Sequence, residues 1–215
     1  MSTPTLEIQE PGLQTTVQDR GRYGYQRYGV PVSGAMDLFA LRAANILVGN
    51  DDGEAALEMT ALGPKVRFAA STWLAVTGAD LSPTLDGAPL PMWETVEVAE
   101  GSILAFGGPV DGMRAYLAVA GGIDVPLVMG SRSTYLKGPF GGFQGRALQA
   151  GDVLSTLPSG ERSFVRRRLA RETPRPSYGH THELRVVMGP QEAAFTAEAT
   201  STFLGSPYTI SMDSD

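Results

Sequence analysis

Within QDRGRYGYQRYGVPVSGAMD, residues 18–37, Arg20, Arg22 and Arg27 alternate with Tyr23, Tyr25 and Tyr28, and glycines space the run. Guanidinium forks match the paired oxygens of carboxylate, carbamate or phosphate, glycine lets backbone approach a ligand, and tyrosine supplies a rigid wall with a hydroxyl at its tip. Such a set suits a small anion. The same residues also fit a long ordered surface loop whose arginines pair with some of the 23 acids and whose tyrosines cover the end of a barrel. Composition alone leaves both readings open.

A second glycine-rich stretch, AGGIDVPLVMGSRSTYLKGPFGGFQGRALQAGD, carries Ser131, Arg132, Ser133, Thr134, Lys137 and Arg146. A tight loop there could offer backbone N–H groups to an anion. It is no P-loop, because no Gly-Lys-Ser/Thr closes a glycine loop at a helix start, so nucleotide binding has no motif behind it. The acids of interest are Asp19, Asp37, Glu58 and Asp80. Glu58, in the alternating AALEMTALGP, is placed to act as a base in a cleft or to satisfy a buried arginine. Asp37 falls in the first turn of an expected helix, where the helix dipole favours a carboxylate in any case. His180 and His182 stand two apart without a third ligand, so no metal site is expected, and no Gly-x-Ser-x-Gly elbow marks a serine hydrolase.

These groups need a scaffold, and most of the chain reads as short strands divided by turns: VRFAASTWLAVTGAD, PTLDGAPL with an Asp86-Gly87 hairpin signal, ETVEVAEGSILAFG and MRAYLAVAGGID. The architecture is mainly β with a few helices. TVEVAEGSILAF and RALQAGDVLSTL share a strand, turn, strand pattern, which suggests one hairpin used twice. Ser33 is placed to cap a helix over residues 35–48, with Met36, Phe39, Ala40, Ala43 and Leu47 as its apolar stripe and Gly49 as its stop. Pro190 and Gly205 bracket a second helix over QEAAFTAEATSTFL. The expected organisation is a β-barrel domain over 1–158, a basic linker or crossover over 159–182 bearing Arg166, Arg167, Arg168 and Arg171, and the start of a second domain over 183–215. Tyr208 to Met212 reads as a strand with no partner following it, so the second domain is expected to be incomplete.

With 215 residues, 42% hydrophobic and 19% charged, the chain can bury a sizeable core and is not generally disordered. The absence of cysteine excludes disulfides and thiolate chemistry. A net charge of -6 argues against nucleic acid as the main partner, and the lack of a leader or a long apolar run makes a cytoplasmic location the expectation.

Several motifs, in order, carry a resemblance: TTVQDRGRYGYQRYGVPVSGAMD, AANILVGN, ALEMTALGP, AVTGAD, RAYLAVAGGIDVPLVMGSRST and GRALQAGD. Together they closely resemble the family that includes the C component of 5-oxoprolinase, allophanate hydrolase subunit 2 and the carboxyltransferase part of urea amidolyase, from Leu6 to Met212. The resemblance implies a cyclophilin-like β-barrel with a second related domain. It implies a sister subunit too, the B component of 5-oxoprolinase or subunit 1 of allophanate hydrolase. A third partner, the A component, completes an ATP-dependent 5-oxoprolinase that opens 5-oxoproline to L-glutamate. In the fused urea carboxylase relatives the equivalent module takes a carboxyl group from carboxybiotin to urea. No biotin-attachment Met-Lys-Met occurs here, so biotin would be carried by a partner, and ATP would be used by the complex rather than bound directly. A purely docking role, as an antagonist of a kinase inhibitor, is the third possibility the family holds. In that family SPYTISMDSD leads into an arginine- and glycine-containing motif that this sequence lacks.

Under this resemblance the opening loop becomes a substrate-binding or interface element, with Arg20 and Arg22 binding an anion and Tyr23, Tyr25 and Arg27 supporting them. Asp37 or Glu58 would do acid/base or orienting work. Ser131 and Thr134, with nearby N–H groups, would support an oxyanion.

Overall fold

The computed structural model describes residues 3–158, 165–170, 172–179, 181, 183 and 185–209. The chain divides into two compact units, Met1–Gly179 and His180–Asp215.

The first unit is built on two antiparallel sheets. The six-stranded sheet runs in the order β11 (Val153–Thr156), β1 (Thr3–Glu10), β4 (Lys65–Phe68), β9 (Ile103–Phe106), β6 (Pro83–Leu85), β7 (Ala88–Pro89). The five-stranded sheet runs β2 (Gln14–Gln18), β3 (Ala56–Thr60), β10 (Asp111–Val119), β5 (Thr72–Asp80), β8 (Thr95–Val98). The fold is therefore mostly β, as its sequence implies. Its pairings form two sheets, an arrangement compatible with the expected barrel. Side-chain alternation explains the layering. On β10, Ala115, Leu117 and Val119 join Leu6, Ile8, Phe68 and Leu104 in one core, whereas Tyr116 and Ala118 turn to the other face. There they meet the helix α1 (Leu38–Leu47), and the small Ala56, Ala75 and Ala118 let its Ala40, Leu41 and Ala44 approach closely. The AANILVGN run closes this corner. Buried Asn45 donates to the Glu54 carbonyl at 2.8 Å and accepts from Asn50, which also reaches the Val119 carbonyl and the Gly121 N–H.

Asp86 and Gly87, at φ 51° and 81°, form the expected two-residue turn between β6 and β7. The helix differs from expectation. α1 begins at Leu38 and its cap is Asp37, whose Oδ1 accepts the Ala40 N–H at 2.9 Å; Ser33 lies outside, with φ 55°. The reason is tertiary. Gly34, at φ 89°, packs so tightly that a Cβ there would lie 2.8 Å from the Gly21 nitrogen, and the Ala35 N–H goes to the Asp19 carbonyl. The chain is held in that crossing until residue 36, so the helix cannot start earlier. Met36 and Phe39, placed in the apolar stripe by spacing, are exposed.

The two similar segments are not hairpins. β8 pairs with β5 in one sheet and β9 with β4 and β6 in the other. Likewise Leu148 bonds to the Thr15 carbonyl of β2, and after the turn β11 pairs with β1. Each segment is a corner at which the chain changes sheets, turning at Gly101 (φ 90°) and Gly151 (φ 89°). Within the stretch read as a linker, Arg167 and Leu169 exchange backbone bonds with Thr95 and Trp93, so residues 167–169 lie along the β8 edge.

In the second unit, one predicted helix is two pieces: a 3-10 turn, Glu192–Ala194, and α2 (Ala197–Gly205), capped by Thr196 accepting from Ala199. Of the expected last strand, Tyr208 and Thr209 are not in a strand, and residues 210–212 lie outside the described residues, as do His180, His182 and Arg171. No described helix is long and apolar enough to cross a membrane.

Candidate functional site

The run 18–37 forms a loop closed at its base. The Arg22 N–H donates to the Val32 carbonyl at 2.8 Å and the Ala35 N–H to the Asp19 carbonyl at 2.9 Å. The returning segment then gives away three consecutive N–H groups. After Ala35, Met36 donates to Glu58 Oε2 at 2.8 Å and Asp37 to the Tyr116 hydroxyl oxygen at 2.7 Å. This sequence of donors places both predicted acids at one spot.

Glu58 on β3 faces Tyr116 on β10 as a directly registered pair, and the Tyr116 hydroxyl donates to Glu58 Oε2 at 2.7 Å. Arg114, two residues earlier on the same face of β10, brings Nε to 3.8 Å from Glu58 Oε1. That buried Nε has no hydrogen-bond partner among the described residues. Asp37 Oδ1 is committed to the helix cap, while Oδ2 accepts the Tyr178 hydroxyl at 2.6 Å. Burial, reinforced by the Glu58 charge, pushes the Tyr116 phenol far above its ordinary range. Burial and the bond to Asp37 do the same for Tyr178. Both tyrosines thus stay protonated, as fixed donors to carboxylates. Two carboxylates, two phenols and a guanidinium thus meet in one part-buried polar cluster.

The loop arginines part company. Arg22 is buried: it donates to the Ser133 carbonyl, and its guanidinium stacks over the Phe140 ring at 4.7 Å from the centroid. Burial lowers its pKa, against the opposing pull of Asp19. Asp19 collects the Gly21 N–H at 2.7 Å, the Ser131 hydroxyl at 2.7 Å, the Ser133 hydroxyl and the Arg132 N–H. Thr134 donates both N–H and hydroxyl to the Val17 carbonyl, at 3.0 and 2.9 Å. Ser131 and Thr134 are thus turned to protein partners in a buried lock between the loop and the second glycine-rich stretch. Arg20 pairs with Asp52, which Arg42 also reaches at 2.8 Å. Tyr23, Arg27 and Tyr28 stand exposed at the loop tip, with Arg27 over the Tyr28 ring at 4.7 Å.

Asp37 and Glu58 are therefore brought together, Arg22, Ser131 and Thr134 form a separate cluster, and Arg20, Tyr23 and Arg27 belong to neither. Tyr116, Arg114 and Tyr178 were not signalled as site residues. The alternation in MRAYLAV could have placed Arg114 and Tyr116 on one face, but nothing in a sequence sets the register that puts Tyr116 opposite Glu58. Among the described residues no group of acids and histidines is arranged to hold a metal.

A family model described as carboxyltransferase domain, subdomain A and B, matches residues 28–215. Urea amidolyase of Saccharomyces cerevisiae is 41% identical over 218 residues, covering 98% of this chain and 12% of that protein. The C component of 5-oxoprolinase of Escherichia coli K12 is 40% identical over 210 residues, covering 98% of this chain and 66% of that protein. The crystal structure of TTHA0988 superimposes with a TM-score of 0.83 at 33% identity, over 94% of this chain and 39% of that one. The chain thus spans about an eighth of the yeast relative and just under two thirds of the bacterial one.

Proposed function

Because the chain belongs to the carboxyltransferase-domain family, we propose that it serves as the equivalent of the C component in an ATP-dependent 5-oxoprolinase. In this reading it works in the cytoplasm with a sister B component and an A component, opening 5-oxoproline to L-glutamate. The observation that carries the reading is the convergence of Glu58 and Asp37 on the Tyr116 hydroxyl. Lactam opening needs a proton delivered to the departing amide nitrogen and a base to activate the attacking oxygen. Glu58 is the base candidate because Oε1 is not held by a close donor, its nearest cation being Arg114 at 3.8 Å. Asp37, with both oxygens engaged, orients Tyr178 and the start of α1. Arg20, paired with Asp52, and the exposed Arg27 and Tyr23 stand apart from the Glu58 cluster, whereas Arg22, Ser131 and Thr134 act from behind, by fixing the loop. ATP is consumed elsewhere in the complex.

Identity is nearly equal to both relatives, 40% to the 5-oxoprolinase component and 41% to urea amidolyase, so the convergence at Tyr116 is what supports lactam opening. The family description and the yeast relative favour a second reading, carboxyl transfer to urea with biotin carried by a partner. The test is to co-express the protein with the subunits encoded beside it and measure glutamate released from 5-oxoproline with and without ATP. Glutamate that requires ATP, all the subunits and Glu58 supports the first reading. A folded, assembled complex that yields none but fixes bicarbonate onto urea supports the second.

A further inference from the structure

An α-helix on the surface of a β domain ordinarily has one apolar face, and α1 has two. Ala40, Leu41, Ala44 and Leu47 are buried against the five-stranded sheet. On the opposite face Leu38, Phe39 and Ile46 surround Arg42 and stand 40%, 39% and 52% exposed. They form one wall of a groove of about 590 Å³ whose other wall is Arg167, Arg168, Leu169 and Ala170. A contiguous apolar patch rimmed by charge is the form that an interaction surface takes.

The rim tells which partner. Three arginines border the groove, and no acid lines it among the described residues. Arg42 is answered from outside by Asp52 at 2.8 Å, and Arg168 by Glu94 at a long 3.8 Å. Arg167 spends its guanidinium on the Ile46 carbonyl at 2.9 Å, and no carboxylate pairs with it among the described residues. A second copy of this chain would bring arginine against arginine in an isologous contact, which disfavours self-association.

We propose that the α1 groove is the docking surface for a different polypeptide, one that inserts an apolar helix or strand edge flanked by carboxylates. The inference rests on the reading of the chain as one member of a multi-subunit assembly, and it assigns that assembly a surface and its partner a chemistry. Apolar burial supplies the affinity, and the arginines select the acidic partner and set its orientation.

The test uses the full protein co-expressed with its neighbouring subunits, with assembly followed by sedimentation velocity. Ile46→Glu buries an unpaired charge in the groove and is expected to weaken assembly by about 100-fold. Arg168→Glu should weaken it by about 10-fold, and more steeply at low salt. Val110→Glu, at a 65% exposed apolar site elsewhere, should leave it within about threefold. Far-ultraviolet circular dichroism and the thermal midpoint of the isolated chain report whether each variant folds. Assembly of folded Ile46→Glu within about threefold of wild type would overturn the proposal. Failure of the wild type to assemble at all would instead sink the multi-subunit reading and take the hetero-partner with it. A wild-type dimer abolished by Ile46→Glu would overturn the hetero-partner and give the groove to a second copy.

Discussion

Tyr116 and Glu58 stand opposite one another across the β10–β3 pair, and the Tyr116 hydroxyl donates to Glu58 Oε2 at 2.7 Å while accepting the Asp37 N–H at 2.7 Å. One phenol therefore ties a strand of the sheet to the cap residue of the helix. Three separate stretches of chain meet at this hydroxyl, and none of them alone would hold a carboxylate in place.

Tyr116→Phe removes that junction without changing the ring. The Asp37 N–H and one Glu58 oxygen lose a partner, for an expected loss of about 1–3 kcal/mol in urea unfolding. Turnover of the assembled complex should fall further than stability explains. Unchanged stability and unchanged turnover together would remove the hydroxyl from any positioning role.

At Asp37 two duties can be separated. Asparagine keeps a capping oxygen for the Ala40 N–H, so Asp37→Asn should stay near wild-type stability, whereas Asp37→Ala should lose about 1 kcal/mol. If the charge of Asp37 matters to chemistry, both variants lose turnover. Full activity in Asp37→Asn would confine the residue to capping and orientation.

Asp19 is the hub of the lock between the loop and residues 131–134. Asp19→Ala leaves the Ser131 and Ser133 hydroxyls and the Gly21 and Arg132 N–H groups without their acceptor, and a loss of about 1–3 kcal/mol is expected. Limited proteolysis should then cut within residues 19–35. A protease-resistant, equally stable variant would contradict this assignment.

Arg146 donates to both oxygens of Asp152, at 2.7 and 2.8 Å, and the Gln149 N–H adds a third bond at 2.7 Å. The guanidinium foremost, against burial, holds the Asp152 carboxyl below the usual carboxylate range. A carboxyl depressed in the folded state stabilises above its unfolded pKa, near about 3.9, and loses that contribution as pH falls through the lower folded value. Arg146→Met should therefore be less stable than wild type by about 1–2 kcal/mol near neutrality. The gap should close in acid, at a pH below the unfolded value. Urea titrations of both proteins across that range measure it, and a gap independent of pH would refute the assignment.

Local chemistry was legible in the sequence. The Asp86-Gly87 turn, the stop of α1 at Gly49 and the strand in MRAYLAVAGGID each depend on residues close to one another in the chain, and each formed as read. The ordered motifs carried the family, which the match over residues 28–215 bears out. The two similar corner segments were visible as a pattern but not as a shape. Whether strand, turn, strand closes a hairpin or passes between sheets depends on which edge is free to pair, and that is decided far away in the chain.

The site divides in the same way. The sequence by itself determined that arginines, tyrosines and carboxylates would be available, and that Asp37 and Glu58 were worth watching. Only the tertiary structure decided that Arg22 faces inward onto Phe140, that Ser131 answers Asp19, and that Tyr116 bridges Glu58 to Asp37. The physical reason is register. A strand's face is written in its own alternation, but its partner is chosen by pairing across the sheet, and a slip of one residue would have turned Tyr116 away from Glu58.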